Sequence, residues 1–280
     1  MKLDVPQPCT DPFEGAQDAC GPVPAVPRFS ICTLVTSTQD YARMRGSFTA
    51  GGFTAPEAEY LYIDNRTVNR MDAYTGLGQM LARARGTYVL LCHQDISLIE
   101  DDAAALTARL AELDRQAPDW ALAGNAGGIA LGQNARRISD PYAEDQHQGA
   151  LPAQVQTLDE NFIVVRRAAM LAPSRDIAGF HLYGTDLCTQ ARLRGWSSWV
   201  IDFHLRHHSE GRLGPAYFDT LTALELKYAG ALAPRIAPTT CLPAVLGRPG
   251  LRGWLLRLER ARKRWRRRNR DWHRRPATDP

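Results

Sequence analysis

Gly86 to Ile96 reads GTYVLLCHQDI, an apolar run that ends abruptly in three polar residues. Tyr88 to Cys92 are β-favouring residues entered through a glycine, the pattern of a short strand buried on both faces. His93, Gln94 and Asp95 stand at its carboxyl end. Open α/β sheets bind ligands in the crevice outside the carboxyl ends of their strands, so a chemical site is expected here. With a side-chain period of two, His93 and Asp95 share one face and Gln94 points away from them. Two metal-ligating side chains thus aim into one crevice, unless Asp95 serves only to cap a following helix.

Upstream, Phe29 to Ser37 (FSICTLVTS) is a buried strand that empties into Thr36, Ser37, Thr38, Gln39 and Asp40. No Gly-rich loop follows it, which argues against a dinucleotide fingerprint and a P-loop. Glu59 to Asp64 is a second strand, ending in Asp64, Asn65, Arg66 and Asn69. A helix over Gly76 to Ala84 returns the chain to the central strand. Strand, helix, strand, helix, strand, each strand ending in polar residues, predicts a mainly parallel α/β sheet whose functional edge gathers Thr36, Asp64 and Asp95.

Downstream, Leu106, Leu110 and Leu113 predict a surface helix over Asp101 to Gln116. Trp120 to Leu131 reads as a strand with a bend, and the polar stretch 132 to 157 as a long substrate-facing loop. Leu158 to Arg167 is a strand preceded by Asp159 and Glu160. Gly179 to Gly195 runs from an aromatic loop, with His181 and Tyr183, into a helix that Thr185 caps. Trp196 to Phe203 is a strand delivering His204, His207 and His208.

Of the 280 residues, 44% are hydrophobic and 23% charged, ordinary for a globular chain. No apolar run approaches the roughly 20 residues needed to cross a bilayer, and the amino terminus lacks a secretory apolar core. A cytoplasmic address is expected. Six scattered cysteines without a C-x-x-C pair argue against a disulfide framework or zinc ribbon. Residues 1–28, with prolines at 6, 8, 12, 22, 24 and 27, read as an irregular lead-in. A main domain is expected over 29–245 and a basic helical tail over 246–280.

FSICTLVTS, EYLYIDN, ARGTYVLLCHQDI, LDENFIVVRR, FHLYGTDLCTQARLRG and WVIDFHLRHHS, in that order, resemble family 2 glycosyltransferases of the GT-A fold. The resemblance covers roughly residues 29 to 210, with H-Q-D standing where many members carry D-x-D. It implies transfer of a sugar from a nucleotide diphosphate donor, most commonly a UDP-sugar, to a hydroxyl acceptor on a surface or lipid-linked glycan. It implies Mn²⁺ or Mg²⁺ at the diphosphate, with Asp95 as main ligand and His93 in place of the first acid. Thr36 and Asp64, and more weakly Asn65 and Asn69, match positions that contact base and ribose. Asp186 matches the base of an inverting displacement, and His207 or His208 a histidine that completes the metal site. Asp159, Glu160, His181 and Tyr183 match segments bordering the donor sugar or acceptor.

Two other classes stay open. A zinc-dependent hydrolase would draw on Asp95, His93, His181 and the 204–208 histidines, without the local H-E-x-x-H signature. A catalytically silent binding module is permitted by the missing first acid.

Charge is unevenly spread. From Arg252 onward twelve Lys or Arg face three acids, whereas the remainder of the chain holds 22 basic against 27 acidic residues. Leu251, Leu258, Trp265 and Trp272 recur every seven residues, so 251–272 predicts a basic amphipathic helix. Such a helix suits the anionic inner face of a membrane, its own protein body or a partner subunit. Nucleic acid ranks last, because the aromatics form a stripe without a base-stacking platform.

Overall fold

The computed structural model describes residues 26–211, 214–237 and 244–247, together with Leu251, Trp254, Leu255, 257–259, Ala261 and Arg262. Strands β1 (Phe29–Val35), β2 (Ala58–Asp64), β3 (Tyr88–Cys92), β4 (Ile96–Leu98), β5 (Trp120–Gly124), β6 (Ala126–Ala130), β7 (Gln133–Asp140) and β8 (Ala143–Gln148) come first. They are followed by β9 (Ala153–Val155), β10 (Thr157–Leu158), β11 (Phe162–Arg166), β12 (Ser197–Val200), β13 (Leu205–His207), β14 (Arg235–Ala237) and β15 (Ala244–Leu246). The α-helices are α1 (Thr38–Ala50), α2 (Ala73–Arg83), α3 (Ala103–Gln116), α4 (Tyr183–Leu193) and α5 (Pro215–Ala231).

The chain forms two compact units. The first holds the described residues up to Ser174 and Tyr183–Gly211; the second holds Arg175–Leu182 and the described residues after Gly211. The division falls inside the 29–245 segment that the sequence suggested as one domain.

In the first unit a seven-stranded sheet has the order β2-β1-β3-β11-β5-β12-β9. The strands β1, β2, β3, β5 and β12 run one way, while β11 and β9 run against them. Alternation along β1 explains its apolar composition. Phe29 and Ile31 face a core with Leu90 of β3, Met44 and Phe48 of α1, and Leu106, Leu110 and Leu113 of α3. On the opposite face α2 packs against β1 and β2, with Gly76 close to Leu34 and Ile63. Phe53 lies 5.1 Å from both Phe29 and Phe48, ring centre to ring centre. Each such buried side chain contributes about 1.5–3 kcal/mol. The glycine that enters β3 is required by space: a Cβ on Gly86 would lie 2.6 Å from the Ser30 nitrogen of β1.

A second sheet has the order β10-β6-β7-β13-β4, with β8 paired to β7. The 132–157 stretch, expected as a loop, builds much of it. Its polar composition suits exposed strands, since β8 is open to solvent along nearly its whole length. The expected bend in Trp120 to Leu131 is the passage from β5 in the first sheet to β6 in the second. Thr185 lies inside α4, which begins at Tyr183, so it does not cap that helix. Cys32, Cys92 and Cys188 are buried free thiols.

In the second unit α5 buries Thr220 and Leu224, and β14 and β15 form an antiparallel pair. Lys227 on α5 pairs with Asp176. Of the predicted 251–272 helix, Leu251 and the described residues from Trp254 to Arg262 are helical; Trp265 and Trp272 lie outside the described residues.

Candidate functional site

The site forms because β1 lies between β2 and β3, parallel to both. Val35 pairs with Asp64, and Cys32 with Leu91, so the polar carboxyl ends of all three strands meet at one edge. After β3 the chain turns through 93–95 into β4, which pairs antiparallel with β13 so that His207 stands opposite Ile96. Ile96 and Leu205 are fully buried and fix this pairing. A histidine more than a hundred residues away thereby reaches Asp95.

His207 Nε2 lies 3.4 Å from Asp95 Oδ1, and His93 Nδ1 lies 3.4 Å from His207 Nε2 and 3.9 Å from Asp95 Oδ1. One ligand atom from each of the three falls within 4.8 Å of the others, the compass of a single cation. Burial works against the Asp95 charge, but hydrogen bonds from His207 and Ser209 and the nearby imidazoles hold its carboxyl well below the usual range. Burial likewise opposes a charged His207, yet Asp95, helped by Asp159 and Asp140, moves its pKa upward. Two nitrogens and a carboxylate suit Mn²⁺ or Zn²⁺ better than Mg²⁺, which prefers oxygen.

His208 is not part of this group. Its Nε2 is 2.9 Å from Ser97 Oγ, and burial, Arg43 and Arg206 push its pKa down. β13 ends at His207, opposite Ile96, while the next residue turns its ring to Ser97 and its backbone nitrogen to the Asp95 carbonyl, which separates the pair that the sequence left together. His204 is buried with Nε2 2.9 Å from Ser139 Oγ. His181 belongs to the second unit, where its ring meets Tyr217 edge-on. Of the five histidines in the zinc set, His93 and His207 are the ones grouped with Asp95 among the described residues.

Gln94, which the sequence placed merely away from its neighbours, organises the edge. Its Oε1 accepts from the Thr36 and Ser37 backbone nitrogens, each at 2.8 Å, and its Nε2 donates to Thr36 Oγ1 at 2.6 Å. Alternation separated Gln94 from His93 and Asp95; its meeting with Thr36 and Ser37 follows from the parallel pairing of β1 with β3, which brings both strand ends to one edge. Ser37 then caps α1 by accepting from the Asp40 nitrogen.

Asp64 is gripped by Arg66, whose Nε and Nη2 donate to its two oxygens at 2.9 and 2.8 Å. These hydrogen bonds hold its carboxyl well below the ordinary range. Asn65 is buried and serves its own loop, donating to the Met71 carbonyl and accepting from the Arg70 nitrogen. Asn69 is exposed.

Asp159 is exposed beside the β3–β11 pair, where His93 N donates to the Asn161 carbonyl at 2.9 Å. Its Oδ1 accepts from Asn161 N and Nδ2. Glu160 Oε1 accepts from Gly184 N in the first turn of α4. Tyr183 is buried with its hydroxyl donating to the Glu160 carbonyl. Asp186, expected as the base, is 0% exposed. Ser174 N and Gln190 Nε2 donate to Oδ2, and Ser174 Oγ to Oδ1, at 2.7, 2.9 and 2.7 Å. These bonds anchor α4 to the loop before it.

No family model matches the chain. It is 36% identical over 231 residues to the ATP synthase subunits region ORF 6 protein of Fuscovulum blasticum, covering 80% of this chain and 91% of that protein. The chain belongs to that protein's family. For this ORF 6 relative, the fold is similar to that of S. aureus TarS 1–349 in complex with UDP-GlcNAc. That likeness has a TM-score of 0.52 at 14% identity and covers 73% of this chain and 66%, just under two thirds, of the TarS chain. The mannosyltransferase PcManGT of Pyrobaculum calidifontis, in complex with GDP-Man and Mn²⁺, gives 0.47 at 12% identity, over 77% of this chain and 67% of its own. The ORF 6 relative thus has the α/β fold of GT-A type glycosyltransferases.

Proposed function

We propose that this protein is a metal-dependent transferase moving a sugar from a nucleotide diphosphate, a UDP-sugar in the first instance, to a hydroxyl acceptor with inversion. The observation carrying this reading is the His93, Asp95 and His207 cluster at the carboxyl ends of the strands of a GT-A type fold. A divalent cation held there would offset the charge of a diphosphate leaving group. Gln94 keeps the Thr36–Ser37 loop in one conformation, so its polar groups meet the nucleotide without prior ordering. Asp64 is aligned by Arg66 to accept hydrogen bonds from base or ribose.

Because Asp186 is enclosed, the base role falls to Asp159. It is exposed, its charge is felt at His207, and Oδ1 is committed to Asn161, leaving Oδ2 to take the acceptor proton.

Calorimetry with UDP, GDP and dTDP, with and without Mn²⁺, on the native chain and Asp95→Ala tests the proposal. Metal-dependent binding of one nucleotide, abolished by Asp95→Ala, is expected. Absence of binding to all three by folded protein would sink it. Two imidazoles, a carboxylate and an open position also suit catalytic zinc, which favours a hydrolase as the second reading. Stoichiometric zinc after purification, with no nucleotide binding, would establish that alternative.

A further inference from the structure

The second unit carries more than half of the large apolar side chains exposed among the described residues, although it supplies few of those residues. Four of them form one stripe. Leu251, Trp254, Leu255 and Leu258 follow at helical spacings of three and four, and are 79%, 56%, 55% and 56% exposed. Arg257, Glu259, Ala261 and Arg262 are exposed too, so none of the described residues of this helix is buried against protein. A helix of this length is marginal in water unless its apolar face is buried.

Charge identifies the cover. From Arg252 onward twelve basic residues face three acids, in a chain whose remainder is acidic. Nucleic acid offers phosphates but no apolar layer for leucines. A second copy offers an apolar stripe but brings the same surplus of positive charge. An anionic bilayer offers both an apolar interior and negative headgroups. We infer that the helical residues described from Leu251 to Arg262 dock on an anionic lipid surface, seating Leu251, Trp254, Leu255 and Leu258 at the acyl boundary with Arg257 and Arg262 among the headgroup phosphates. The protein is then a peripheral membrane protein, and its substrates are met at that surface.

Flotation of the full chain with phosphatidylcholine vesicles, alone or doped with phosphatidylglycerol, tests this without any nucleotide, so it stands apart from the transferase reading. The native chain is expected to float with the anionic vesicles. Leu255→Glu combined with Leu258→Glu is expected to weaken that binding about tenfold at an unchanged melting temperature. Quenching of native tryptophan fluorescence by brominated phosphatidylglycerol, which needs no variant, is also expected. Failure to float, or a double variant that floats as well as the native chain, would overturn the inference. So would binding of a labelled nucleic acid duplex, or concentration-dependent dimerisation, in a chain that does not float.

Discussion

At the scale of single residues, the site turns on which of two adjacent histidines reaches Asp95. His207 Nε2 is 3.4 Å from Asp95 Oδ1, while His208 is directed to Ser97. His207→Ala is therefore expected to lower Mn²⁺ affinity about tenfold or more, and His208→Ala to leave it nearly unchanged, as read by metal titration calorimetry. Equal losses would mean that the two histidines exchange. The sequence displayed both residues but not the register of β13 against β4, which decides between them. The same holds for acids. Asp186 was legible as an acid in the first turn of a helix, but its enclosure by Ser174 and Gln190 depends on a contact twelve residues upstream. Asp186→Asn is accordingly expected to cost about 1.5–3 kcal/mol in denaturant unfolding. Asp159→Asn is expected to lower kcat about a hundredfold or more with donor affinity retained. A folded Asp186→Asn enzyme as inactive as Asp159→Asn would return the base role to Asp186.

At the scale of elements, the strands that could be read were the buried ones. β1, β2 and β3 were visible as apolar runs with polar ends, because a strand covered on both faces leaves that imprint. β7 and β8 left none: their exposed positions are polar without a clean alternation, so the second sheet looked like a loop. What locks the first three strands together is also polar and also escaped notice. Glu59 on β2 accepts from Ser30 Oγ of β1 at 2.7 Å, and from Arg85 N and Nε at 2.8 Å, just before β3 begins. Burial opposes its charge, yet these donors lower its pKa below the ordinary glutamate value. The contribution to stability is thus fully present above that ordinary value and is lost as pH falls through the lowered, folded one. Glu59→Gln is expected to flatten the acid limb of a stability-against-pH curve measured by urea unfolding. An unaltered acid limb would mean that this carboxylate does not tie the strands.

At the scale of the whole molecule, the sequence displayed the contrast between an acidic body and a basic tail, and the two compact units divide the chain at other points. His93, Asp95 and His207, and Thr36, Asp64, Gln94 and Asp159 with them, lie in the first compact unit. The apolar stripe of Leu251 to Leu258 lies in the second. The boundary was obscured because Arg175–Leu182, embedded within the first unit's sequence, packs with the second: Asp176 meets Lys227 and His181 meets Tyr217. Composition carries no mark of such an exchange. The two activities proposed here therefore separate along the chain. A protein ending at Gly211 is expected to retain Mn²⁺-dependent nucleotide binding within about threefold of the full chain, since His93, Asp95 and His207 all lie in the first unit. It is expected to lose flotation with anionic vesicles altogether. Calorimetry and flotation on one preparation read both. Loss of nucleotide binding in a truncated chain that still melts cooperatively would mean that the second unit completes the donor site, and that surface and catalysis are joined through it.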